Sequence, residues 1–468
     1  MGSFDTSLQK RHKSPLHPEI RRRATQHQIP MELPYFDNPA ELHQRLAPLG
    51  DAALLDSGDS ERGRWDIAAA GAEPESSLVL TSDAPWPETQ RALDVWLDGL
   101  KAPIAENTDP TLPFDGGYVG FFSYELGRRL QGLPDRRTDM PLACVRHYPW
   151  AVVQDRQARQ SRLVGTYDQT LADKVLKALG GEAPESLPFR LLSAFERPWS
   201  EAQFADTLSA VKNYLLAGDC YQINIGQPFS AEFEGDLADA YGRLRSVAGA
   251  PFSAFLSLDD HHALISLSPE RFITVNGRIV ETRPIKGTRP RHLDPEKDGE
   301  AMRELITSDK ERAENLMIVD LLRNDIGRYC EAGSVSVDEL FRVETYRTVH
   351  HLVSVVRGNL KHGVHPMELL VGSLPGGSIT GAPKRRAMEI IDELEPGGRD
   401  VWCGTIFYLS RNGRLDSNIA IRTLFNTGSI LHCWAGGGLV YDSEADAEYQ
   451  EQQHKVGAFI ETLEKDLR

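Results

Sequence analysis

Asn276-Gly277, set between the β-branched runs Phe272-Ile273-Thr274-Val275 and Arg278-Ile279-Val280, commits its two flanks to one antiparallel hairpin, the strongest short-range constraint in the chain. A turn at this dipeptide also sets a register. With Val275 opposite Arg278, Glu270 falls opposite Arg283, and Lys286 lies three residues further along, about 10 Å away at roughly 3.4 Å per residue. The spacing puts a carboxylate and an amine at one end of a ribbon, far enough apart to bracket a small ring. A surface hairpin with an exposed Glu and Lys has the same local sequence, so the hairpin alone does not separate the two readings.

A chain of 468 residues that is 40% hydrophobic buries a large core, and its length allows two to four domains. No apolar run approaches the roughly 18 residues a bilayer span needs, and no charged-apolar-small leader opens the chain. The expectation is a soluble, cytoplasmic protein with no membrane partner. The net charge of −16 disfavours nucleic acid, and it means that an anionic substrate needs locally placed cations. Cys144, Cys220, Cys330, Cys403 and Cys433 are scattered without zinc spacing, and their odd number argues against a disulfide framework.

Residues 1–31 form a basic, aperiodic segment expected to be a disordered tail. Residues 32–190 alternate short strand-like runs with turns, among them Ala53 to Ser57, Ser77 to Leu80 and the Gly-rich Phe114 to Gly120. The Gly- and Pro-containing stretch from Gly180 to Pro198 is the best boundary candidate. Residues 191–468 open with an amphipathic helix from about Ser200, a possible N-cap, to Gly218, and continue into a strand in which Gln222 and Asn224 share one face. Polar side chains on a buried face need partners, within the protein or on a ligand.

Two acid pairs recur at helical i, i+3 spacing: Glu311 with Glu314, and Glu448 with Glu451, the latter followed by Lys455. Each alone reads as a solvated face, but two such pairs on facing helices suit a hard cation that takes oxygen ligands and keeps water. Asn412-Gly413 predicts a second hairpin whose register sets Arg422 opposite Cys403, beside Trp402. An arginine within an apolar strand is costly unless it meets an anion, so Arg422 is a candidate for binding a carboxylate. The loop Pro375 to Lys384 lacks the Gly-Lys-Ser/Thr of a phosphate loop, and no nucleotide site is read from it.

Ser268-Pro269-Glu270, Pro284-Ile285-Lys286-Gly287-Thr288-Arg289, Glu311-Arg312-Ala313-Glu314, His351-Leu352-Val353-Ser354, Thr380-Gly381-Ala382-Pro383-Lys384, Ala420-Ile421-Arg422-Thr423 and Ala435 to Ser443 followed by Glu448-Tyr449-Gln450-Glu451 occur in one order. In that order they resemble the chorismate-utilising enzymes, over residues from about 32 to the C-terminus. The resemblance implies an α+β fold, a large layered antiparallel β-sandwich flanked by helices. Lys286 matches the branch that forms 4-amino-4-deoxychorismate for the 4-aminobenzoate arm of folate synthesis. Anthranilate-forming relatives have Ala there, and water-using relatives have a Lys where this chain has Gln222.

Several roles follow from that resemblance. Chorismate is the implied substrate and Mg²⁺ the implied cofactor, with Glu314 and Glu451 as direct ligands and Glu311 and Glu448 acting through water. Glu270 is the expected general acid on the departing hydroxyl, which requires a raised pKa. Lys286 is the expected nucleophile at the ring and must be neutral when it acts. Bringing an amine from about 10.4 to about 7 costs roughly 4.6 kcal/mol. Thr288, His351 and Thr380 match residues that line the substrate, and Arg422, Gly437, Gly438 and Lys455 match residues around its carboxylates. No glutamine-hydrolysing motif is present in the chain, so a separate glutamine amidotransferase subunit is the implied source of ammonia. The stretch Leu54 to Ser57 matches one that holds tryptophan in some relatives; with Asp56 in it, no tryptophan feedback is expected. Anthranilate synthesis and a catalytically silent chorismate-binding subunit are the alternatives.

Overall fold

Alternation along single strands shows how the molecule is layered. In Trp65–Ala70, Ile67 and Ala69 point into one hydrophobic cluster while Ala68 and Ala70 point into another, and Val153 and Val152 divide in the same way. A strand apolar on both faces must be covered on both. The computed structural model, which describes residues 30–58, 63–101, 108–136, 138–182, 184–259, 262–346 and 349–467, shows what covers them. The first cluster lies between two sheets, where Phe121, Ile273, Val275 and Phe407 of one meet Leu256, Leu264, Phe425 and Trp434 of the other. The second lies between one sheet and the helices carrying Leu42, Val175, Tyr241 and Phe459.

Among the described residues the sheets have 12 and 10 strands, and every pairing is antiparallel. The 12-stranded sheet runs from Met31–Leu33 at one edge through Ala52–Asp56, Ala263–Ser268, Thr423–Thr427, Ile430–Leu439 and Gln222–Glu234 to Gly381–Ala382 at the other. The 10-stranded sheet runs from Ile285–Pro290 through Val349–Asn359, Ile279–Thr282, Arg271–Asn276, Leu415–Asn418 and Thr405–Ser410 to Glu73–Leu80. This is the expected helix-flanked antiparallel sandwich. Strands from both sides of residue 190 enter both sheets. Most of the segment assigned to a basic tail, residues 1–29, lies outside the described residues; Met31, at its end, is already in a strand opposite Leu163.

The helix over Glu201–Ala217 forms as read, with a capping box between Ser200 and Gln203 and a left-handed Gly218 after it. Two registers differ from expectation. The central turn is Gly277-Arg278, with Val275 opposite Val280 and Asn276 opposite Ile279, so Glu270 does not face Arg283. Asn276 prefers to stay in the ladder because Gly277, at φ +60°, takes the left-handed position. The second hairpin pairs Leu409 with Leu415 and then stops at Asn418. Arg422 is therefore not inside a strand: it sits at φ +50°, one residue before Thr423–Thr427 begins in the other sheet.

Candidate active site

The site lies where the chain changes sheets twice at one edge of the sandwich. Ala263–Ser268 belongs to the larger sheet and Arg271–Asn276 to the smaller, so Pro269-Glu270 is a crossing; Ile419 to Arg422 crosses back. The crossings lie side by side. Ile419 N donates to Glu270 O at 3.1 Å, Leu267 N donates to Arg422 O at 3.0 Å, and the Ser268 hydroxyl donates to Ile419 O at 2.6 Å. Neither crossing continues a ladder, so both leave their side chains free to face inward.

Glu270 is 8% exposed. Burial pushes its carboxyl up to about 7, against a hydrogen bond from Ser378 and the positive charge of Lys286. Cys403, on the loop between the helix Lys384–Leu394 and the strand Thr405–Ser410, feels its charge in turn. Lys286 enters from Ile285–Pro290, which continues alongside Val349–Asn359 after Ile279–Thr282 has paired with the same strand. Its amine stands 4.0 Å from Glu314 Oε2. A Cβ at Gly438 would lie 3.3 Å from Lys286 Nζ and 2.3 Å from Gln222 Nε2, so any side chain there would displace Gln222. Next to the lysine, Gly287 adopts φ +80°, and a Cβ on it would come within 2.9 Å of Glu311 Oε2.

Gln222 and Asn224 do share a face, as alternation requires, and both present a buried side-chain oxygen with no protein partner. Gln222 is paired with Ala382 on one side, and Asn224 lies opposite Gly438 on the other. Two orphaned acceptors beside an amine and a glycine are polar groups left for a hydrogen-bonding guest. Arg422 is the matching cation. Its side chain makes no recorded hydrogen bond or ion pair among the described residues, and burial alone lowers its pKa. Beside it, burial, the charge of Arg422 and that of His350 push His351 down to about 4, so the ring is neutral at pH 7. His351 Nδ1 and Thr288 Oγ1 share a 2.8 Å hydrogen bond. Its neighbour His350 is engaged elsewhere, with Asp298 at 2.9 Å and Thr345 at 3.0 Å.

The four acids come from the two predicted helices, Asp309–Gly327 and Ala445–Leu463. Burial raises Glu314, with Glu311 and Glu448 adding to the rise and Lys286 and Lys310 opposing it. Burial also acts to raise Glu451, but Lys455 at 2.7 Å, with Lys310 and Lys286 beyond, holds it below the usual carboxylate range. Glu448 accepts from the Ser443 hydroxyl at 2.7 Å, and Glu311 lies 3.4 Å from Arg289. Among the described residues no three His, Cys, Asp or Glu side chains form a ready metal cage. A Mg²⁺ ion does not need one, since it takes one or two carboxylates and completes its octahedron with water and substrate. An all-oxygen set from two helices, with the charges of Glu311 and Glu448 acting on Glu314, fits that ion.

Two assigned residues are otherwise occupied. Lys455 donates to Gly436 O at 3.0 Å and pairs with Glu451, and a Cβ at Gly437 would lie 3.4 Å from its amine. The Thr380 hydroxyl, fully buried, donates to Gly376 O at 3.0 Å, so it shapes its own loop. Ser378, in the same loop as Thr380, is not among the residues the sequence singles out. A serine two residues before Thr380 carries no signal of what it faces.

A cavity of about 320 Å3 is lined by Asp56, Trp65 and Phe252, and also by Pro269 and Ile285. The Asp56 carboxylate there is taken up by Arg245, by the Tyr241 hydroxyl at 2.8 Å and by Gly58 N at 2.7 Å.

A buried acid, an amine that acts on its charge, an arginine with no hydrogen bond or ion pair among the described residues and four carboxylates on two helices are what an enzyme acting on a small dianion needs, and the chain belongs to the chorismate binding enzyme family, whose model matches residues 50–461. It is 45% identical to aminodeoxychorismate synthase component 1 of Salmonella typhimurium over 92% of this chain and 97% of that one. Anthranilate synthase component 1 of Streptomyces coelicolor is 36% identical over 79% of this chain and 77% of its own length. Among solved structures, anthranilate synthase component I from Streptococcus pneumoniae superposes with a TM-score of 0.71 at 29% identity, covering 85% of this chain and 92% of that one.

Proposed function

We propose that this chain aminates chorismate at C4 to give 4-amino-4-deoxychorismate, with ammonia from a separate glutamine amidotransferase subunit. The observation that carries the reading is Lys286, whose amine lies beside Gly438 and Glu314 while also acting on the charge of Glu270. Glu270, kept protonated near neutrality by burial, gives its proton to the C4 hydroxyl, which leaves as water. The Lys286 amine adds at C2 as the two conjugated ring double bonds shift and the C4–O bond breaks. Ammonia then adds at C4, the two double bonds return, and the C2–N bond to Lys286 breaks. Arg422 holds a substrate carboxylate, and the Thr288–His351 pair places the ring.

Mg²⁺, when bound by Glu314 and Glu451, would neutralise a substrate carboxylate and the acids around it. The chain is proposed to work in the cytoplasm. Its five cysteines are unpaired and buried, and no helix among the described residues is long and apolar enough to cross a membrane. The product keeps its pyruvate, because nothing in the proposed roles removes it.

The test is turnover of chorismate with ammonium and Mg²⁺, products resolved by mass, for wild type and Lys286→Ala. An amino-substituted product that retains pyruvate, lost in the variant, supports the reading. Direct formation of anthranilate by wild type would assign the chain to the other branch, which the Streptomyces coelicolor relative represents. With Asp56 already held by Arg245, micromolar tryptophan is expected to leave turnover unchanged.

A further inference from the structure

Arg399 is 1% exposed and is a fully buried cation that the proposed chemistry does not use. Its guanidinium is sandwiched between Tyr124 and Trp402, with ring centroids at 4.6 and 4.8 Å. Nε donates to Glu395 Oε2 at 2.9 Å and Nη2 to Glu395 Oε1 at 2.6 Å, which neutralises the charge. The remaining donors leave the pair and go to main-chain carbonyls of two site-lining elements. Nη1 bonds Ile379 O at 2.8 Å, in the loop that carries Ser378 and Thr380, and Nη2 bonds Asn224 O at 2.7 Å, in the strand that carries Gln222. The same two elements meet directly through Asn224 N, which donates to Thr380 O at 2.7 Å.

The rest of the network ties in the floor. Glu395 Oε1 accepts from Gly226 N at 2.8 Å. Trp402, under the guanidinium, stacks on Trp434 at 5.2 Å and fills the space where a Cβ at Gly226 or Gly436 would stand. The residue after it, Cys403, is the one that faces Glu270.

We propose that Arg399 is a positioning residue for the amination, its planar fork fixing the distance between the Gln222–Asn224 strand, where the nucleophile works, and the Ser378–Thr380 loop, which backs the acid Glu270. The inference rests on the reading of this site as one that aminates chorismate. Arg399 touches neither the anchoring arginine Arg422 nor the four acids in any recorded contact, so its effect falls on alignment of the reacting groups and not on capture of the substrate. A lysine would keep the charge that Glu395 requires but could not serve two carbonyls and a carboxylate in one plane.

The test compares Arg399→Lys with wild type in ammonium-dependent turnover, after wild type alone has been shown to aminate chorismate; failure of that control would strike the functional reading and not this one. The expected result is a fall in kcat of about 10- to 100-fold with KM for chorismate within about threefold, the pattern of misaligned groups on a bound substrate. Hydrogen exchange at the Asn224 amide is expected to speed up in the same variant. An unchanged kcat per folded molecule, or a loss carried by KM alone, would overturn the proposal, as would unaltered exchange at Asn224. Should Arg399→Lys not fold, Trp402→Phe, which removes one face of the sandwich, takes its place. The same split, smaller in size, then supports the role, and wild-type kinetics refute it.

Discussion

Glu270 shows how one side chain can be set for chemistry at a cost to stability. Its carboxyl, pushed up to about 7 by burial, holds a proton at pH values where the unfolded chain has lost it. A raised folded-state pKa contributes stability that is fully present below the unfolded value and lost as pH rises through the folded one. Glu270→Gln, which cannot ionise, is thus expected to gain more in thermal midpoint over wild type at about pH 8 than at about pH 4 while losing about 100-fold or more in turnover. Calorimetry at the two pH values checks the sign. With ammonium as donor, the rate of wild type should rise with pH as free ammonia accumulates and flatten above about 7, where Glu270 gives up its proton. A rise that continues unbroken into alkaline solution would exclude Glu270 as the acid. Arg422→Met is expected to raise KM for chorismate by at least about tenfold with a smaller change in kcat, since it removes a carboxylate anchor and no reacting group. Steady-state kinetics at saturating ammonium decide it.

At the scale of elements, helix spacing was legible and sheet crossing was not. Glu311 with Glu314 and Glu448 with Glu451 could each be placed on one helix face because a helix repeats locally, every 3.6 residues, whatever surrounds it. The Gln222 and Asn224 face followed in the same way from the two-residue period of a strand. Arg422 was read as part of a strand because its neighbours are apolar, whereas it marks the residue where the chain leaves one sheet for the other. Leaving a ladder is a tertiary event: Ser268 and Glu270 receive Ile419 from a segment some 150 residues away, and no local propensity encodes that meeting. If the facing helices hold Mg²⁺, Glu314→Gln and Glu451→Gln should each weaken Mg²⁺-dependent turnover by about 100-fold or more, because a ligand charge is lost. Titration of activity against added Mg²⁺ would show it. Equal turnover in both variants and wild type would remove the ion from these helices.

For the whole molecule, the Gly- and Pro-containing stretch before Pro198 resembles a domain boundary, yet both sheets cross it. Residues 191–468 alone would lack Ala52–Asp56 beside Phe252–Ser257 in one sheet and Gly117–Phe122 beside Thr405–Ser410 in the other. Two long central ladders would become open edges with their apolar faces bare. That fragment is expected to aggregate or to show no cooperative thermal transition, which circular dichroism on the purified piece would reveal; a sharp transition would show that the region folds by itself. What the sequence by itself determined was local and chemical: hairpins, capped helices, the acid pairs, and the side-chain types from which an acid and an amine are proposed. These depend on periodicity and side-chain type, which a single chain displays. Only the tertiary structure decided that Glu270 and Arg422 lie at paired crossings between sheets, that Gln222 and Asn224 keep orphaned buried oxygens, and that Arg399 joins the elements around them. Those facts arise from packing between segments far apart in the chain, where burial sets both the partners a polar group can find and the proton it keeps.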